Sequence, residues 1–306
     1  MIRRVCVVGA GTIGSLFAGH LARVVEVSVL TRRAEHAEAL AAHGLRVTGR
    51  SDIEAHVFAT ANPADLPDFD LGIVACKGTD LESAAQALEG RFPDATLMTV
   101  QNGLGAEAVV RGHGDWPLIS AITFMSGTRH SDIEVEYVLD TPTWVGPYEG
   151  ISMTRVEEVA SLIASAGLEV QAFVDLRPAQ WSKLVFNATV NGVAAMTGLA
   201  HDAHFAQEDE QPDLGRLVRA LMDEGKTVAD AAGIELHDDP WEMNVLATKR
   251  GSAHRPSMLE DVIAQRPTEV ESINGALVRE AVRTGVEVPL QKALYALVRG
   301  KEASYS

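Results

Sequence analysis

Cysteine is scarce in this 306-residue chain, which contains only Cys6 and Cys76. Two cysteines do not form a disulfide framework, and their spacing matches no metal-binding motif. Each lies in an apolar run, so we expect small buried hydrophobic side chains at both positions rather than redox or nucleophilic groups.

Long apolar runs and an N-terminal leader are also missing. No segment reaches the roughly 18 apolar residues that a membrane span requires. Met1 leads straight into strand-forming residues instead of a charged and then apolar leader. The sequence therefore predicts a soluble, cytoplasmic protein that has no membrane partner.

Basic residues are fewer than acidic ones. The chain has 26 Lys and Arg residues and 42 Asp and Glu residues, so its formal net charge is −16. A surface of this sign repels phosphate backbones, so we expect no nucleic-acid partner. A small anionic ligand is still compatible with the sequence if Lys and Arg side chains gather locally. Net charge governs solubility and long-range steering, and it leaves the chemistry of a pocket open.

Metal-ligand spacing is absent as well. The ten histidines include no His-x-x-x-His pair, which argues against a metal-dependent reaction. His201 and His204 stand three residues apart beside Asp202, and we interpret this segment as a solvated loop. We expect no bound metal.

Short β-branched runs alternate with helix-like stretches from Arg3 to about Phe173, which is typical of βαβ units and a mostly parallel sheet. Beyond residue 124 we expect antiparallel strands added to an edge, followed by a helix and a last strand. The pattern predicts an N-terminal Rossmann-type doubly wound sheet. Its main predicted strands lie at residues 5–9, 25–30, 71–76, 96–100 and 117–124.

The strand pattern stops beyond Asp175, and helical periodicity takes over. Two of the predicted helices end at Gly233 and Gly285, as C-terminal glycine caps do. We predict two domains, a dinucleotide-binding Rossmann domain at residues 1–174 and an all-helical domain at residues 175–306. The predicted helices lie at residues 178–200, 212–232, 239–248 and 268–284.

A glycine-rich turn, GAGTIG at residues 9–14, follows the first predicted strand and opens the first predicted helix. In this context Gly9 permits the tight turn, Gly11 lets the backbone approach a pyrophosphate, and Gly14 allows the helix to pack closely on the strand. Amides at the helix N-terminus would face the phosphates. The turn predicts a bound nicotinamide or flavin dinucleotide. The expected cofactor contacts are Gly9, Gly11, Thr12, Ile13 and Gly14.

An acidic residue at the end of the second strand, which would bond the ribose of NAD, is missing. The chain reads LTRR at residues 30–33 instead. Guanidinium groups suit the 2′-phosphate of NADP, whereas the alternative is a pair of solvated arginines at a helix start. We favour NADP (NADPH) as the cofactor.

Polar residues directly after strands lie where open α/β sheets bind ligands. Lys77 follows the third main predicted strand, and Asn102 comes two residues after the fourth. A helix cap or a solvated turn explains each of them equally well from position alone.

Lys183, Asn187 and Asn191 stand four residues apart in an otherwise apolar predicted helix, and therefore on one face of it. An unpaired buried polar group costs roughly 1–3 kcal/mol, and a buried charge costs more. The three side chains therefore form either a solvated stripe or part of a ligand site.

Acidic residues mark the start of the last predicted helix. Thr268 and Glu271 have the spacing of a capping box, which explains one of the acids structurally. Glu269 has no such explanation. On periodicity alone it is a first-turn helix acid favoured by the helix dipole.

One further element, RPSMLEDV at residues 255–262, contains Ser257 and precedes the last predicted helix. Taken together, these motifs resemble the ketopantoate reductase (2-dehydropantoate 2-reductase) family over nearly the whole chain. The resemblance implies that Lys183 and Glu269 are the catalytic pair. It also implies that Arg32 and Lys77 serve the cofactor. Asn102 would contact both cofactor and substrate, and the further substrate contacts would be Asn187, Asn191 and Ser257. The motifs that carry the resemblance are GAGTIG at 9–14, QNG at 101–103, WSKLVFNATVN at 181–191, RPSMLEDV at 255–262 and RPTEVESINGALVREA at 266–281.

The resemblance implies an NADP-dependent oxidoreductase that transfers hydride to the carbonyl of 2-dehydropantoate and forms pantoate, as in pantothenate biosynthesis. One departure leaves the substrate open, because Gly192 follows Asn191 where the family commonly has proline. Two alternatives remain, a paralogous reductase of another 2-oxo acid or an opine-like imine, and a non-catalytic NADPH-binding regulator. A homodimer is compatible with the sequence.

Overall fold

Two compact units make up the chain in the computed structural model, which describes residues 1–206, 212–249 and 255–305. The first unit comprises Met1–Gln101 and Ala106–Leu176, and the second comprises Asn102–Gly105 and Arg177–Ser306. The segment Asn102–Gly105 therefore groups with the second unit, although it follows a strand of the first.

The first unit contains two β-sheets and five helices. Its helices are α1 (Thr12–Leu21), α2 (Ala34–His43), α3 (Leu81–Leu88), α4 (Ala106–Arg111) and α5 (Met153–Ser165). Its strands are β1 (Arg4–Val8), β2 (Glu26–Leu30), β3 (Leu45–Gly49), β4 (Ile53–Ala55), β5 (Phe58–Thr60), β6 (Leu71–Val74), β7 (Thr96–Thr99), β8 (Leu118–Thr123), β9 (Ser126–Arg129), β10 (Glu134–Leu139), β11 (Thr143–Tyr148) and β12 (Val170–Ala172).

The larger sheet has eight strands in the order β12-β11-β8-β7-β6-β1-β2-β5. Strand β1 pairs in parallel with β2 on one side and with β6 on the other. The strand order therefore reverses direction at β1, which is where open α/β sheets bind ligands. This topology confirms the Rossmann-type doubly wound sheet predicted from the sequence.

A second sheet, in the order β4-β3-β10-β9, was not expected. We predicted antiparallel strands on the edge of the main sheet after residue 124. That is correct for β11, which pairs antiparallel with β8, and wrong for β10, which pairs with β3 and β9. The second sheet packs on α1, because Val47 and Val135 share a buried cluster with Leu16 and Phe17.

The described helices of the second unit surround one central helix. Helix α6 packs against all of the others in its unit, so side chains on its faces are buried wherever a neighbour covers them. The helices are α6 (Arg177–Thr197), α7 (Pro212–Ala231), α8 (Pro240–Lys249), α9 (Ser257–Ile263), α10 (Asn274–Thr284) and α11 (Pro289–Glu302). None of the described helices is long and apolar enough to cross a membrane.

Both C-terminal glycine caps predicted from the sequence are confirmed. Gly233 and Gly285 follow α7 and α10 with φ of +73°, a left-handed conformation that glycine adopts without strain. After Gly285, the Val286 N–H donates to Ala281 O at 2.9 Å and closes the end of α10.

The predicted capping box is wrong, because α10 begins only at Asn274. The Thr268 hydroxyl instead accepts a hydrogen bond from the Val270 N–H at 3.1 Å, within an irregular turn. The Glu271 carboxylate accepts one from the Tyr295 hydroxyl at 2.7 Å. Glu269 is therefore not a first-turn helix acid either.

The solvated-loop interpretation of His201 is also wrong. Its ring is buried, and Nε2 lies 2.8 Å from Asn244 Oδ1.

Within residues 1–206, 212–249 and 255–305, no group of three or more His, Cys, Asp or Glu side chains is placed to hold a metal ion.

Candidate active site

At two positions of the glycine turn after β1, any side chain would clash with neighbouring backbone atoms. Gly9 has φ of +99°, and a Cβ there would lie 2.8 Å from the backbone N of Cys76. A Cβ on Gly14 would lie 1.9 Å from Gly9 O. These contacts match the tight turn and the close helix packing expected from the sequence.

Gly11 differs from its two neighbours in the turn. Apart from Gly11 itself and its chain neighbours, no described residue has an atom within 4 Å of the position its Cβ would take, and its φ of −75° suits any residue. Helix α1 begins at the next residue, so the amides of Thr12 and Ile13 lie at a helix N-terminus. A backbone that is open on one side at this place fits a pyrophosphate group.

The ends of β2 and β6 lie on either side of the glycine turn. The Gly9 N–H donates to Leu30 O at 2.8 Å, and the Ala75 N–H donates to Val8 O at 2.9 Å. Arg32 and Lys77, the two predicted cofactor residues that follow these strands, therefore flank the turn. The Lys77 side chain is exposed and precedes a short 3-10 turn.

Arg32 and Arg33 have different carboxylate partners. Arg32 Nη1 donates to both oxygens of Asp80, at 2.9 and 3.1 Å, and Arg33 Nη2 donates to Asp132 at 2.6 Å. The structure thus brings a carboxylate to the end of β2 from 48 residues along the chain. The sequence around residue 32 gives no sign of it.

Gln101 is a residue that sequence reasoning did not single out. It is buried, and its Nε2 donates to Val74 O at 2.8 Å and to Cys76 O at 3.1 Å. The side chain ties the end of β7 to the segment that packs against Gly9. Its place directly after a predicted strand was the available signal.

In the second unit, the predicted polar face of α6 is largely buried. Lys183 is 7% exposed and Asn191 is 6% exposed, while Asn187 is half-buried. A solvated stripe is therefore wrong for these residues. The remaining alternative from the sequence is a set of buried polar groups that bind partners.

Asn102, Asn187 and Glu269 come together although they are far apart in sequence. Asn102 Nδ2 donates to Glu269 Oε2 at 3.1 Å, and Asn187 Nδ2 donates to Asn102 Oδ1 at 3.5 Å, the long end of the range. The Asn102 amide therefore links the carboxylate of Glu269 to the polar face of α6.

The backbone next to Asn102 packs closely against the turn that contains Glu269. The Leu104 N–H donates to Ser272 O at 3.1 Å. Gly103 has φ of +93°, and a Cβ there would lie 1.9 Å from the same oxygen. This contact accounts for the glycine in the QNG motif and fixes the place of Asn102.

Two further contacts hold the Glu269 turn in place. The side chain of Asn274 is fully buried, and its Nδ2 donates to Ala188 O of α6 at 2.7 Å. The Thr268 N–H donates to Glu302 Oε1 at 2.6 Å. The turn is thereby tied both to the helix that carries Lys183 and to the C-terminal helix α11.

Two opposing effects act on the pKa of Lys183. Burial lowers its pKa from 10.5 to about 8, and the neighbouring Glu269 carboxylate partly opposes this fall. The side chain is therefore mostly cationic at neutral pH and a stronger acid than an ordinary lysine. Such a group can polarise a carbonyl oxygen and then donate a proton to it.

Ser257, the remaining predicted substrate residue, is the first residue of α9 and is exposed. Helix α9 packs against α6. Within the described residues, no hydrogen bond joins Ser257 to Asn102, Asn187 or Glu269.

Comparison with known proteins is consistent with this architecture along nearly the whole chain. The family model of ketopantoate reductase PanE/ApbA matches residues 5–150, and the model of its C-terminal part matches residues 175–302. A 2-dehydropantoate 2-reductase of Halobacterium salinarum is 31% identical over 97% of this chain and 98% of that protein. The chain belongs to the ketopantoate reductase family. A 2-dehydropantoate 2-reductase of Archaeoglobus fulgidus is likewise 31% identical, over 99% of each chain.

The family also shares the fold. A crystal structure of a PanE/ApbA family ketopantoate reductase from Ralstonia eutropha superposes with a TM-score of 0.89, at 26% identity, over 99% of each chain. Membership of the family makes the chain an oxidoreductase by descent, with a Rossmann-type first unit.

Proposed function

We propose that this protein reduces the C2 carbonyl of 2-dehydropantoate to the hydroxyl group of pantoate, with NADPH as the hydride donor. Curated relatives of that name align with it over nearly their full length. The observation that carries the proposal is the buried Lys183 beside Glu269, with Asn102 bonded to that carboxylate. The reaction would serve pantothenate biosynthesis.

In this proposal the first unit holds the cofactor. The amides of Thr12 and Ile13 would bind its pyrophosphate at Gly11, and Arg32 would bind the 2′-phosphate. Lys77, which follows β6, would be a further cofactor contact. The reduced nicotinamide, when bound, supplies the hydride that reaches C2 of the substrate.

Lys183 performs the acid step. Its ammonium group donates a hydrogen bond to the C2 carbonyl oxygen, stabilises the negative charge that develops there, and gives up a proton to complete the hydroxyl. A positioned charge in a buried site contributes several kcal/mol to such a step. The hydride and this proton together account for the two hydrogens gained by the substrate.

Glu269 has two roles in the same scheme. Its carboxylate raises the pKa of Lys183 and so favours the protonated form, and it accepts a hydrogen bond from the distal hydroxyl of the substrate. Asn102 orients the carboxylate through their 3.1 Å hydrogen bond. Asn187, Asn191 and Ser257 bind the substrate's carboxylate and hydroxyl groups.

A comparison of substrates that differ at one group tests the proposal. We expect kcat/KM for 2-dehydropantoate to exceed that for 3,3-dimethyl-2-oxobutanoate by about 100-fold or more, because the second compound lacks only the hydroxyl group that Glu269 would bind. The measurement is the initial rate of NADPH oxidation.

The same assay separates the alternatives. Faster turnover of pyruvate, or of an imine formed from pyruvate and an amino acid, would identify a paralogous reductase. Binding of NADPH without oxidation by any of these compounds would identify a non-catalytic regulator. Either result would overturn the proposal.

A further inference from the structure

The ion pair between Arg32 and Asp80 bridges the two strand ends that flank the glycine turn. Arg32 follows β2 and Asp80 follows β6, while β1, which leads into the turn, lies between those strands. Neighbouring strands are about 4.8 Å apart, so β2 and β6 lie roughly 10 Å apart with β1 between them. This is the part of the sheet where the adenosine ribose of a dinucleotide lies.

Folding alone does not account for Asp80. It stands just before α3, where an aspartate ordinarily caps the helix, yet its side chain makes no capping hydrogen bond. Its carboxylate bonds Arg32 instead, and the Arg32 side chain is 77% exposed. Exposed ion pairs of this kind contribute little to stability.

The pair has opposite consequences for the two nicotinamide dinucleotides. A 2′-phosphate must compete with the Asp80 carboxylate for the Arg32 guanidinium, and it then carries its negative charge next to that carboxylate. A ribose 2′-hydroxyl is neutral and can donate a hydrogen bond to a carboxylate, so NADH leaves the ion pair intact.

We propose that Asp80 is a determinant of coenzyme specificity. It pairs with the Arg32 guanidinium and repels the 2′-phosphate, and it thereby reduces the ratio of the affinity for NADPH to the affinity for NADH. The inference rests on the proposed nicotinamide-dependent reduction and adds a specificity residue to it. The preference of this chain for NADPH is then weaker than its two arginines alone suggest.

Direct binding to the Asp80→Asn variant tests this role. We expect the ratio of Kd for NADH to Kd for NADPH to rise about 3- to 10-fold, because the variant removes one negative charge a few ångströms from the phosphate. Calorimetric titration with each dinucleotide, without any 2-oxo acid, gives the ratio. Asp80→Glu keeps the charge, and its ratio should stay within about 2-fold of wild type.

Glu158→Gln is the matched control. It makes the same change in net charge, and Glu158 lies on α5, which packs on β11 and β12 at the other end of the sheet. The control should leave the ratio unchanged. A wild-type ratio in Asp80→Asn, or an equal rise in Glu158→Gln, would overturn the role of Asp80.

Failure of this role can be told apart from failure of the proposed function. A shifted binding ratio in an enzyme that turns over no 2-oxo acid contradicts only the function. An unchanged ratio in an enzyme that reduces 2-dehydropantoate contradicts only the role of Asp80. If wild type binds neither dinucleotide, both are wrong.

Discussion

Lys183 places an ammonium group on a largely buried helix, where it is only 7% exposed. A buried ammonium group is costly unless it is paired, and the depressed pKa of Lys183 records that cost. Glu269 offsets part of it. The polar face of α6 is therefore better explained by the reaction proposed above than by any stability it adds.

The pH dependence of turnover follows from this balance. The acid step needs protonated Lys183, so we expect kcat/KM to be steady near neutral pH and to fall as the pH rises through about 8. In Glu269→Gln the carboxylate that raises this pKa is gone, so the fall should begin at a lower pH. Initial rates across pH 6–10 measure both profiles.

Two outcomes would contradict this role. One is a wild-type profile that stays flat to pH 10, well above the pKa of Lys183. The other is a Glu269→Gln profile that falls at a higher pH than wild type.

The sequence predicted the shared face of Lys183, Asn187 and Asn191 because helical spacing is a local property. It did not predict from spacing the contact between Asn102 and Glu269, which are 167 residues apart. Those two were linked only through the family resemblance. The pair of Arg32 with Asp80 had no signal in the sequence at all.

At the scale of elements, the central strands were the most predictable. Strands β1, β2, β6, β7 and β8 were each predicted to within two residues at either end, because parallel strands covered on both faces are continuous apolar runs. Strands β3, β4, β5 and β9 were missed, since they are three to five residues long and partly exposed.

Two helices of the second unit were also missed. Helix α9 is only seven residues long, too short to show a clear period. Helix α11 did carry a signal, because Pro289 stands in its first turn and Leu294 and Val298 lie four residues apart on its buried side.

The glycine turn supplies a matched pair of variants. Gly14→Ala should lower the free energy of unfolding by about 1–3 kcal/mol, because its Cβ would meet Gly9 O at 1.9 Å. Gly11→Ala should leave stability within about 0.5 kcal/mol of wild type. It should nevertheless weaken dinucleotide binding by about 10-fold, since the new methyl group would stand where we propose that the pyrophosphate binds.

Denaturant unfolding and calorimetric titration of both variants test these expectations. Wild-type affinity in a folded Gly11→Ala protein would show that the pyrophosphate does not lie on the open side of the turn. Wild-type stability in Gly14→Ala would show that α1 can shift away from β1.

At the scale of the whole molecule, the chain path passes between the two units more than once. Residues 102–105 leave the end of β7 and group with the helical unit, so the QNG motif contributes Gln101 to the sheet and Asn102 to the pair of Lys183 and Glu269. The change in periodicity predicts one boundary near residue 174, and in the structure the main change of unit lies at Leu176 and Arg177, with residues 102–105 grouped with the helical unit.

The net charge of −16 affects how the protein attracts the ligands proposed for it. Both 2-dehydropantoate and the dinucleotide are anions, so the molecule as a whole repels its proposed ligands at long range. Local cations must supply the attraction. In this proposal they are Arg32 and Lys77 in the first unit and Lys183 in the second.

The most direct test of the account compares NADPH oxidation by wild type and by Lys183→Ala with 2-dehydropantoate as substrate. We predict substrate-dependent oxidation by wild type and a loss of about 10³-fold in kcat for the variant, with the Kd for NADPH within about 2-fold of wild type. Lys292→Ala, which removes an exposed lysine paired with Glu287, should behave as wild type. Near-normal turnover by Lys183→Ala would contradict the account.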